Sequence, residues 1–149
     1  MTPTRVIATT SASELATRPG SVAVERRVEW VDTDASGHHH NSAVMRWFEV
    51  AEARLLDQRG ILHDVYGHLP RVRTEVDFLR SVRFGEEIEM EAWVDEVGSS
   101  SVAFGFEMRA DGGVAARGSV VAALLDEDGS PRPWPDPWRR ALEGDVAAG

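Results

Sequence analysis

Apolar and polar positions alternate with a period of two in several stretches of the chain. The first runs over residues 22–30, with Arg26 as the one charged residue on its apolar side. Similar stretches cover residues 71–78, 87–95 and 102–109, and a less polar one covers 114–125. This pattern predicts strands with one buried face. The pairs Gly98-Ser99 and Asp111-Gly112 are typical of hairpin turns, so the later strands are expected to be antiparallel neighbours.

A helical pattern separates the first strand from the others. Over residues 42–59, apolar side chains recur every three or four positions, and Gly60 indicates the end of the helix. One strand, a long apolar helix and an antiparallel meander predict an α+β domain whose sheet curls around the helix. The apolar helix and the low polarity of residues 114–125 also predict self-association.

The two ends of the chain lack this regularity. Residues 1–20 are rich in Ser, Thr and Ala and are expected to form a flexible arm, in which residues 11–16 fit a helical turn. The remaining residues, 21–149, are expected to form a single domain with a Pro-rich C-terminal segment that carries at most a short helix.

The amino-acid composition restricts the possible partners and catalytic groups. Sixteen basic and 25 acidic side chains give a net charge of −9, which argues against nucleic acid and anionic membrane surfaces as partners. The sequence shows neither a membrane-spanning stretch nor a secretory signal, so a cytoplasmic location is expected. The chain contains no cysteine, and all of its basic residues other than histidine are arginines. Thiolate and Schiff-base chemistry are therefore excluded, and carboxylates and histidines remain as candidates.

A polar segment, residues 32–41, leads directly into the predicted helix. The first turn of a helix offers unpaired N–H groups and a partial positive charge, which can stabilise an oxyanion beside a carboxylate. Asp32 is expected to act mainly as a helix cap, whereas Asp34 lies too far upstream for that role. Side chains of the consecutive residues 38–40 diverge, so no metal site is predicted there.

The same segment carries a recognisable motif. It reads Asp-Thr-Asp-Ala-Ser-Gly-His over residues 32–38, followed by Asn41 and by Met-Arg-Trp-Phe-Glu over residues 45–49. This order resembles the signature of the 4-hydroxybenzoyl-CoA thioesterase group within the hot-dog thioesterase superfamily. Residues 73–86 resemble that group's second strand and following turn, so the similarity covers residues 22–126. The chain departs from the pattern at His39, where a small apolar residue is usual, at His40, where asparagine is usual, and at Val44, where an aromatic residue is common.

The resemblance implies a hot-dog fold and assembly as a homodimer or as a dimer of dimers, a homotetramer. It implies hydrolysis of an acyl-CoA or acyl carrier protein thioester at the subunit interface, giving a free acid and a thiol. No cofactor is expected beyond the coenzyme A or phosphopantetheine of the substrate. Asp34 takes the position of the catalytic carboxylate, which either attacks the carbonyl or activates water. Gly37, His38, His40 and Asn41 are the expected oxyanion and substrate contacts, through main-chain N–H groups near the last two.

Other assignments stay open. Some hot-dog thioesterases carry their catalytic carboxylate on the central helix, which makes Glu49 a substrate-site candidate and Glu52 a second candidate base, unless each pairs with Arg46 or Arg54. Phosphates of coenzyme A fit the arginines Arg80, Arg83 and Arg117. The alternative functions are a hot-dog dehydratase of 3-hydroxyacyl thioesters and a non-catalytic acyl-CoA-binding module.

Overall fold

The computed structural model describes residues 17–144. Its strands are β1 (Val22–Arg27), β2 (Arg71–Phe78), β3 (Glu87–Val97), β4 (Ser101–Ala110) and β5 (Gly113–Ala123). Its α-helices are α1 (Asn41–Gln58), α2 (Leu62–Val65) and α3 (Asp136–Leu142). Every predicted strand and the long helix are thus present, while α2 falls in a segment that the sequence predicts as a connector. The helical turn expected at residues 11–16 lies outside the described residues.

The five strands form one antiparallel sheet in the order β1-β3-β4-β5-β2. Both predicted hairpin turns are confirmed, because β3, β4 and β5 are sequential neighbours. At the second turn, Asp111 and Gly112 have φ angles of 49° and 75°. Two successive left-handed residues match the right-handed twist of the flanking strands and favour Asp-Gly at this position. Strands β1 and β2 form the two edges of the sheet.

Helix α1 packs against the inner face of the sheet, mainly on β1 and β3. Phe48 lies at the centre of this contact, with its ring 6.0 Å from that of Phe104 and 5.3 Å from that of Phe106. All three side chains are almost fully buried. The predicted α+β architecture, a curved antiparallel sheet around a central helix, is confirmed, and it is the hot-dog arrangement that the resemblance implies.

The first strand is shorter than its apolar pattern predicts. It ends at Arg27, and a 3-10 turn follows over Trp30–Asp32. The Asp32 carboxylate accepts the Glu29 N–H at 2.8 Å and closes this turn. The alternation therefore breaks, and Trp30, predicted on the buried face, is 81% exposed.

Two surfaces used to predict self-association are largely covered within the chain. Strand β5 lies between β4 and β2 rather than at an edge, and the apolar side of α1 faces the sheet. Large exposed apolar side chains instead include Val72, Phe78 and Leu79 on or beside the edge strand β2. Exposed apolar surface is thus also present beside β2, and self-association stays a prediction.

The Pro-rich segment packs back onto the hairpin between β3 and β4. The Trp134 indole donates to the Ser101 carbonyl at 2.9 Å, and an Arg139 guanidinium nitrogen donates to the Gly98 carbonyl at 2.6 Å. The short terminal helix is present as α3. Among residues 17–144, no helix has the length and apolar character needed to cross a membrane.

Candidate active site

The segment between β1 and α1 folds into a tight loop that presents Asp34. Thr33 and His39 form an antiparallel bridge, the Asp34 N–H donates to the His38 carbonyl at 3.1 Å, and Gly37 turns the chain with a φ of 79°. A positive φ favours glycine, because glycine has no side chain to clash with the backbone in this conformation. The C-terminal half of the loop also pairs with the residues after β2, since His38 forms a bridge with Arg83. Asp34 therefore stands on a loop anchored at both ends.

The Asp34 side chain is exposed and has spare acceptor capacity. Its Oδ1 accepts the Ser36 N–H at 2.8 Å and the Ser36 hydroxyl at 2.5 Å. Its Oδ2 has no hydrogen-bond partner among residues 17–144. The Ser36 hydroxyl and N–H stabilise the anion and hold the pKa of Asp34 below its ordinary value. The carboxylate is therefore ionised at neutral pH, with one oxygen oriented by Ser36 and the other available.

Asp34 borders an open cleft of about 550 Å³. Residues 39–41 line the cleft beside Asp34, and residues 78–81, which begin with the last residue of β2, form the rest of its wall. The structure thus brings together four of the candidate site residues from the sequence: Asp34, His40, Asn41 and the phosphate candidate Arg80. Apart from Arg80, the lining residues 78–81 were not predicted as part of the site, although the resemblance of residues 73–86 marks that segment.

The N-terminus of α1 opens into this cleft, and its cap differs from the predicted one. His40 is the N-cap, with Nδ1 accepting the Ser42 N–H at 3.1 Å. Asp32 does not cap α1, because its carboxylate serves the 3-10 turn and a 2.7 Å contact with Arg46. Asn41 N–H has no acceptor among the described residues, whereas His40 N–H already donates to the Asp32 carbonyl at 2.7 Å. One of the two expected main-chain oxyanion donors is therefore occupied.

The remaining predicted residues occupy different surroundings. Gly37 shapes the loop, and His38 is partly exposed in the half of the loop that pairs with Arg83. Glu49 is exposed eight residues along α1 from Asn41, about 12 Å at 1.5 Å per residue. It lines a separate cavity of about 690 Å³ and does not border the Asp34 cleft. Within one chain, the structure therefore does not bring Glu49 to Asp34.

Glu52 lies on the same cavity and is buried. Both of its oxygens accept from the Arg71 guanidinium, at 2.6 Å and 2.5 Å, so its partner is neither Arg46 nor Arg54. Burial raises the pKa of Glu52, and the Arg71 charge opposes this only in part. Glu52 is therefore held in a bidentate ion pair, and it does not border the Asp34 cleft.

The arginines considered for phosphate binding are engaged to different degrees. Arg80 donates to the Ala110 carbonyl at 2.9 Å and pairs with Glu86 and Asp111, both at 3.1 Å. Arg117 lies 3.9 Å from Asp77 and is largely exposed. Arg83 is exposed and forms no ion pair with any residue in 17–144. Arg83 therefore has the most freedom to meet an anionic ligand.

Metal ligands do not converge at the histidine run. In the described part of the chain, no three His, Cys, Asp or Glu side chains are grouped closely enough to hold a metal ion. The three consecutive histidines differ in role, because His39 is buried, His40 caps α1 and His38 lies in the C-terminal half of the loop.

Comparison with solved structures identifies relatives of the same fold. A thioesterase from Thermus thermophilus, complexed with coenzyme A and Zn, is 32% identical, with 82% of this chain and 93% of that chain aligned and a TM-score of 0.74. A predicted thioesterase from Bacillus stearothermophilus is 25% identical, covering 85% and 96%, with a TM-score of 0.76. A 1,4-dihydroxy-2-naphthoyl-CoA thioesterase from Synechocystis is 19% identical, covering 82% and 95%, with a TM-score of 0.74, a likeness of fold alone.

Sequence comparison points the same way. No curated protein has significant sequence similarity to the chain. Residues 28–142, however, match the family model of the Thioesterase-like superfamily. This match covers the Asp34 loop, α1, the whole sheet after β1 and the C-terminal helix. The chain therefore belongs to the thioesterase-like superfamily.

Proposed function

We propose that the protein hydrolyses an acyl-CoA thioester to a carboxylic acid and free coenzyme A, with Asp34 as its catalytic carboxylate. The family supports thioester hydrolysis in general terms. The observation that carries the residue assignment is the cleft itself, where an ionised carboxylate with a free oxygen stands beside the open N-terminus of α1. A thioester carbonyl in this cleft meets an acid on one side and an N–H donor on the other.

In the proposed reaction, the free oxygen of Asp34 attacks the carbonyl carbon or removes a proton from the attacking water. Electrons of the C=O bond move to oxygen, and the oxyanion accepts the Asn41 N–H. The C–S bond then breaks and coenzyme A leaves as thiolate. In direct attack, the acyl group remains on Asp34 as a mixed anhydride, which water hydrolyses to the acid and the free carboxylate. In the water route, the acid forms at once and the proton taken by Asp34 passes to the thiolate. Both routes use the same carboxylate and the same donor.

Coenzyme A is proposed as the carrier because the Thermus relative, at 32% identity, is a complex with coenzyme A. Arg83 adds support from this chain, since it is exposed in the segment that pairs with the Asp34 loop and no carboxylate in 17–144 forms an ion pair with it. We also propose that a second copy completes the cleft along β2, whose exposed Phe78 reaches the wall of the cleft. An interface there buries apolar surface that is otherwise open to water.

The test is release of free thiol from a panel of aliphatic and aromatic acyl-CoAs. Asp34→Asn keeps the shape of the side chain and can still accept from Ser36, but it removes the charge. We expect kcat/KM to fall by about 10³-fold. The kcat/KM of Asp34→Ala should fall by at least as much.

Asp95→Asn is the matched control, because Asp95 is an exposed aspartate on β3 that does not border the cleft. This variant should retain wild-type turnover. Near-wild-type hydrolysis by Asp34→Asn would refute the residue assignment. Tight acyl-CoA binding without thiol release by the wild type would instead support a binding module.

A further inference from the structure

His39 has surroundings unlike those of its neighbours in the histidine run. The residue is 9% exposed, and its ring lies 6.2 Å from that of Trp47 and 6.1 Å from that of Phe78. Its main-chain N–H donates to the Val82 carbonyl at 2.8 Å, and its Nδ1 accepts the Val82 N–H at 3.1 Å. The ring is therefore fixed by two aromatic neighbours and by a hydrogen bond at one nitrogen.

These contacts determine which nitrogen carries the proton. Because Nδ1 accepts a hydrogen bond, the neutral ring carries its proton on Nε2. Burial lowers the pKa of His39, and the nearby Asp34 carboxylate offsets only part of this effect. The nearby histidines His38 and His40 also lower the pKa of His39. At neutral pH, His39 is an uncharged donor with a defined tautomer.

His39 is one of the residues that line the cleft that Asp34 borders. Its Nε2 has no hydrogen-bond partner among the described residues. Within 17–144, the one fully enclosed side-chain nitrogen or oxygen without a partner is Arg109 Nη2. His39 Nε2 is therefore not fully enclosed, and the open space that His39 lines is the cleft.

We propose that His39 Nε2–H donates a hydrogen bond to the thioester carbonyl oxygen, as a second oxyanion donor beside Asn41 N–H. This inference rests on the proposed function and adds a catalytic residue to it. The need for a second donor follows from the structure, since His40 N–H is already bound to the Asp32 carbonyl. No proton is transferred in this step. The carbonyl oxygen gains negative charge during attack, and its hydrogen bond from the imidazole N–H becomes stronger. The charge and the extra strength of the bond are lost when the thiolate leaves.

A neutral imidazole suits this role. Its N–H stays on the ring throughout the reaction, whereas an imidazolium would attract and partly neutralise the Asp34 carboxylate that must react. The packing between Trp47 and Phe78 holds the donor in one orientation, so little reorganisation is needed as charge develops. A small apolar residue, usual at this position in the group that the motif resembles, has no side-chain donor.

Two amide substitutions separate the two nitrogens of the ring. In His39→Asn, the amide oxygen can accept the Val82 N–H in place of Nδ1, but the donor at the tip is lost. In His39→Gln, the longer side chain brings an amide N–H close to the position of Nε2. We expect His39→Asn to lose about 10²-fold in kcat with little change in KM, and His39→Gln to retain more than a tenth of wild-type kcat.

The outcomes are distinguishable. Equal kcat for His39→Asn and the wild type, with Asp34 still required, overturns this inference and leaves the proposed function standing. A higher kcat for His39→Asn than for His39→Gln also overturns it, because it assigns the ring a packing role at Val82. Absence of thioester hydrolysis by the wild-type protein overturns both proposals.

A binding measurement keeps the inference testable if the His39 variants fail to fold. In ¹⁵N-histidine-labelled Asp34→Asn protein, which should bind substrate without turnover, the His39 Nε2–H resonance is followed by NMR as acyl-CoA is added. Formation of the proposed bond moves this proton downfield. An unchanged His39 resonance at saturating acyl-CoA, judged from other cleft signals, contradicts the inference.

Discussion

Two carboxylates with lowered pKa values occupy opposite extremes in this molecule. Asp34 is exposed and receives both of its donors from one neighbour, Ser36. Glu91 on β3 is 0% exposed and accepts hydrogen bonds from five donor atoms. Those atoms are Thr17 N–H and Oγ–H, Arg18 N–H, Ser21 Oγ–H and an Arg109 guanidinium nitrogen. The first carboxylate keeps an oxygen free, whereas the second is saturated.

The difference shows that a lowered pKa does not by itself identify a reactive acid. Burial alone raises the pKa of Glu91, but hydrogen bonds from Ser21, Thr17 and Arg18 outweigh it and lower the pKa to about 2. That anion fastens the segment before β1 to the outer face of the sheet. The pKa of Asp34 is also lowered, although this carboxylate has few contacts. The candidate catalytic group is therefore distinguished by a carboxylate oxygen that is free to accept a hydrogen bond beside a cleft.

The largest stability effect is expected at Glu91. A fall in pKa from 4.5 to about 2 corresponds to about 3 kcal/mol, at about 1.4 kcal/mol per pKa unit. Because the folded pKa is below the unfolded one, this contribution is present above about pH 4.5 and is lost as the pH falls towards 2. Glu91→Gln should therefore reduce the free energy of unfolding by about 3 kcal/mol at pH 7, measured by urea denaturation, and by much less at pH 3.

The control for this prediction lies two residues away on the same strand. Glu89 contacts the same arginine, with Arg109 Nε at 3.6 Å, but its side chain is 40% exposed. Glu89→Gln should change the free energy of unfolding by less than about 1 kcal/mol. Equal stability of Glu91→Gln and Glu89→Gln at neutral pH would contradict the anchoring role of Glu91.

Much of this contrast is invisible in the sequence. Glu87, Glu89 and Glu91 occupy equivalent positions in the period-two pattern of β3, yet only Glu91 is fully buried. Alternation indicates which face of the sheet a side chain occupies, but not what covers that face. Here Thr17 and Arg18, which belong to the predicted flexible arm (residues 1–20), and the adjacent Ser21 cover it by donating to the carboxylate.

Local patterns predicted the parts of the fold that depend on neighbours in sequence. Strand periodicity, the Asp111-Gly112 turn and the length of α1 are of this kind. The Asp34 loop was found because its motif is contiguous. Contacts between distant segments were missed, such as Glu52 with Arg71 across 19 residues, since they depend on how β2 lies beside α1.

Glu52 offers a smaller test with the opposite sign. Burial raises its pKa, so the folded state binds a proton at this site more readily than the unfolded chain does, and its effect on stability becomes less favourable as the pH rises. Glu52→Gln should therefore change the free energy of unfolding at pH 7 by no more than about 1 kcal/mol, because Arg71 is 31% exposed and can turn towards water. A loss as large as that of Glu91→Gln would show that the ion pair stabilises the fold despite its burial.

The smallest expected effect concerns the influence of Ser36 on the pKa of Asp34. The Ser36 hydroxyl is the main cause of the lowered pKa, so Ser36→Ala should raise the pKa of Asp34 towards its ordinary value while the Ser36→Thr control, which keeps a hydroxyl, should leave it low. The titration of the Asp34 carboxyl carbon by ¹³C NMR measures this directly and does not depend on turnover. If Asp34 is the essential base or nucleophile, the acid limb of kcat/KM must move upwards with it in Ser36→Ala. If the pKa of Asp34 rises in Ser36→Ala while the acid limb of kcat/KM stays fixed, that limb belongs to another group. Asp34 would then not be the reacting carboxylate.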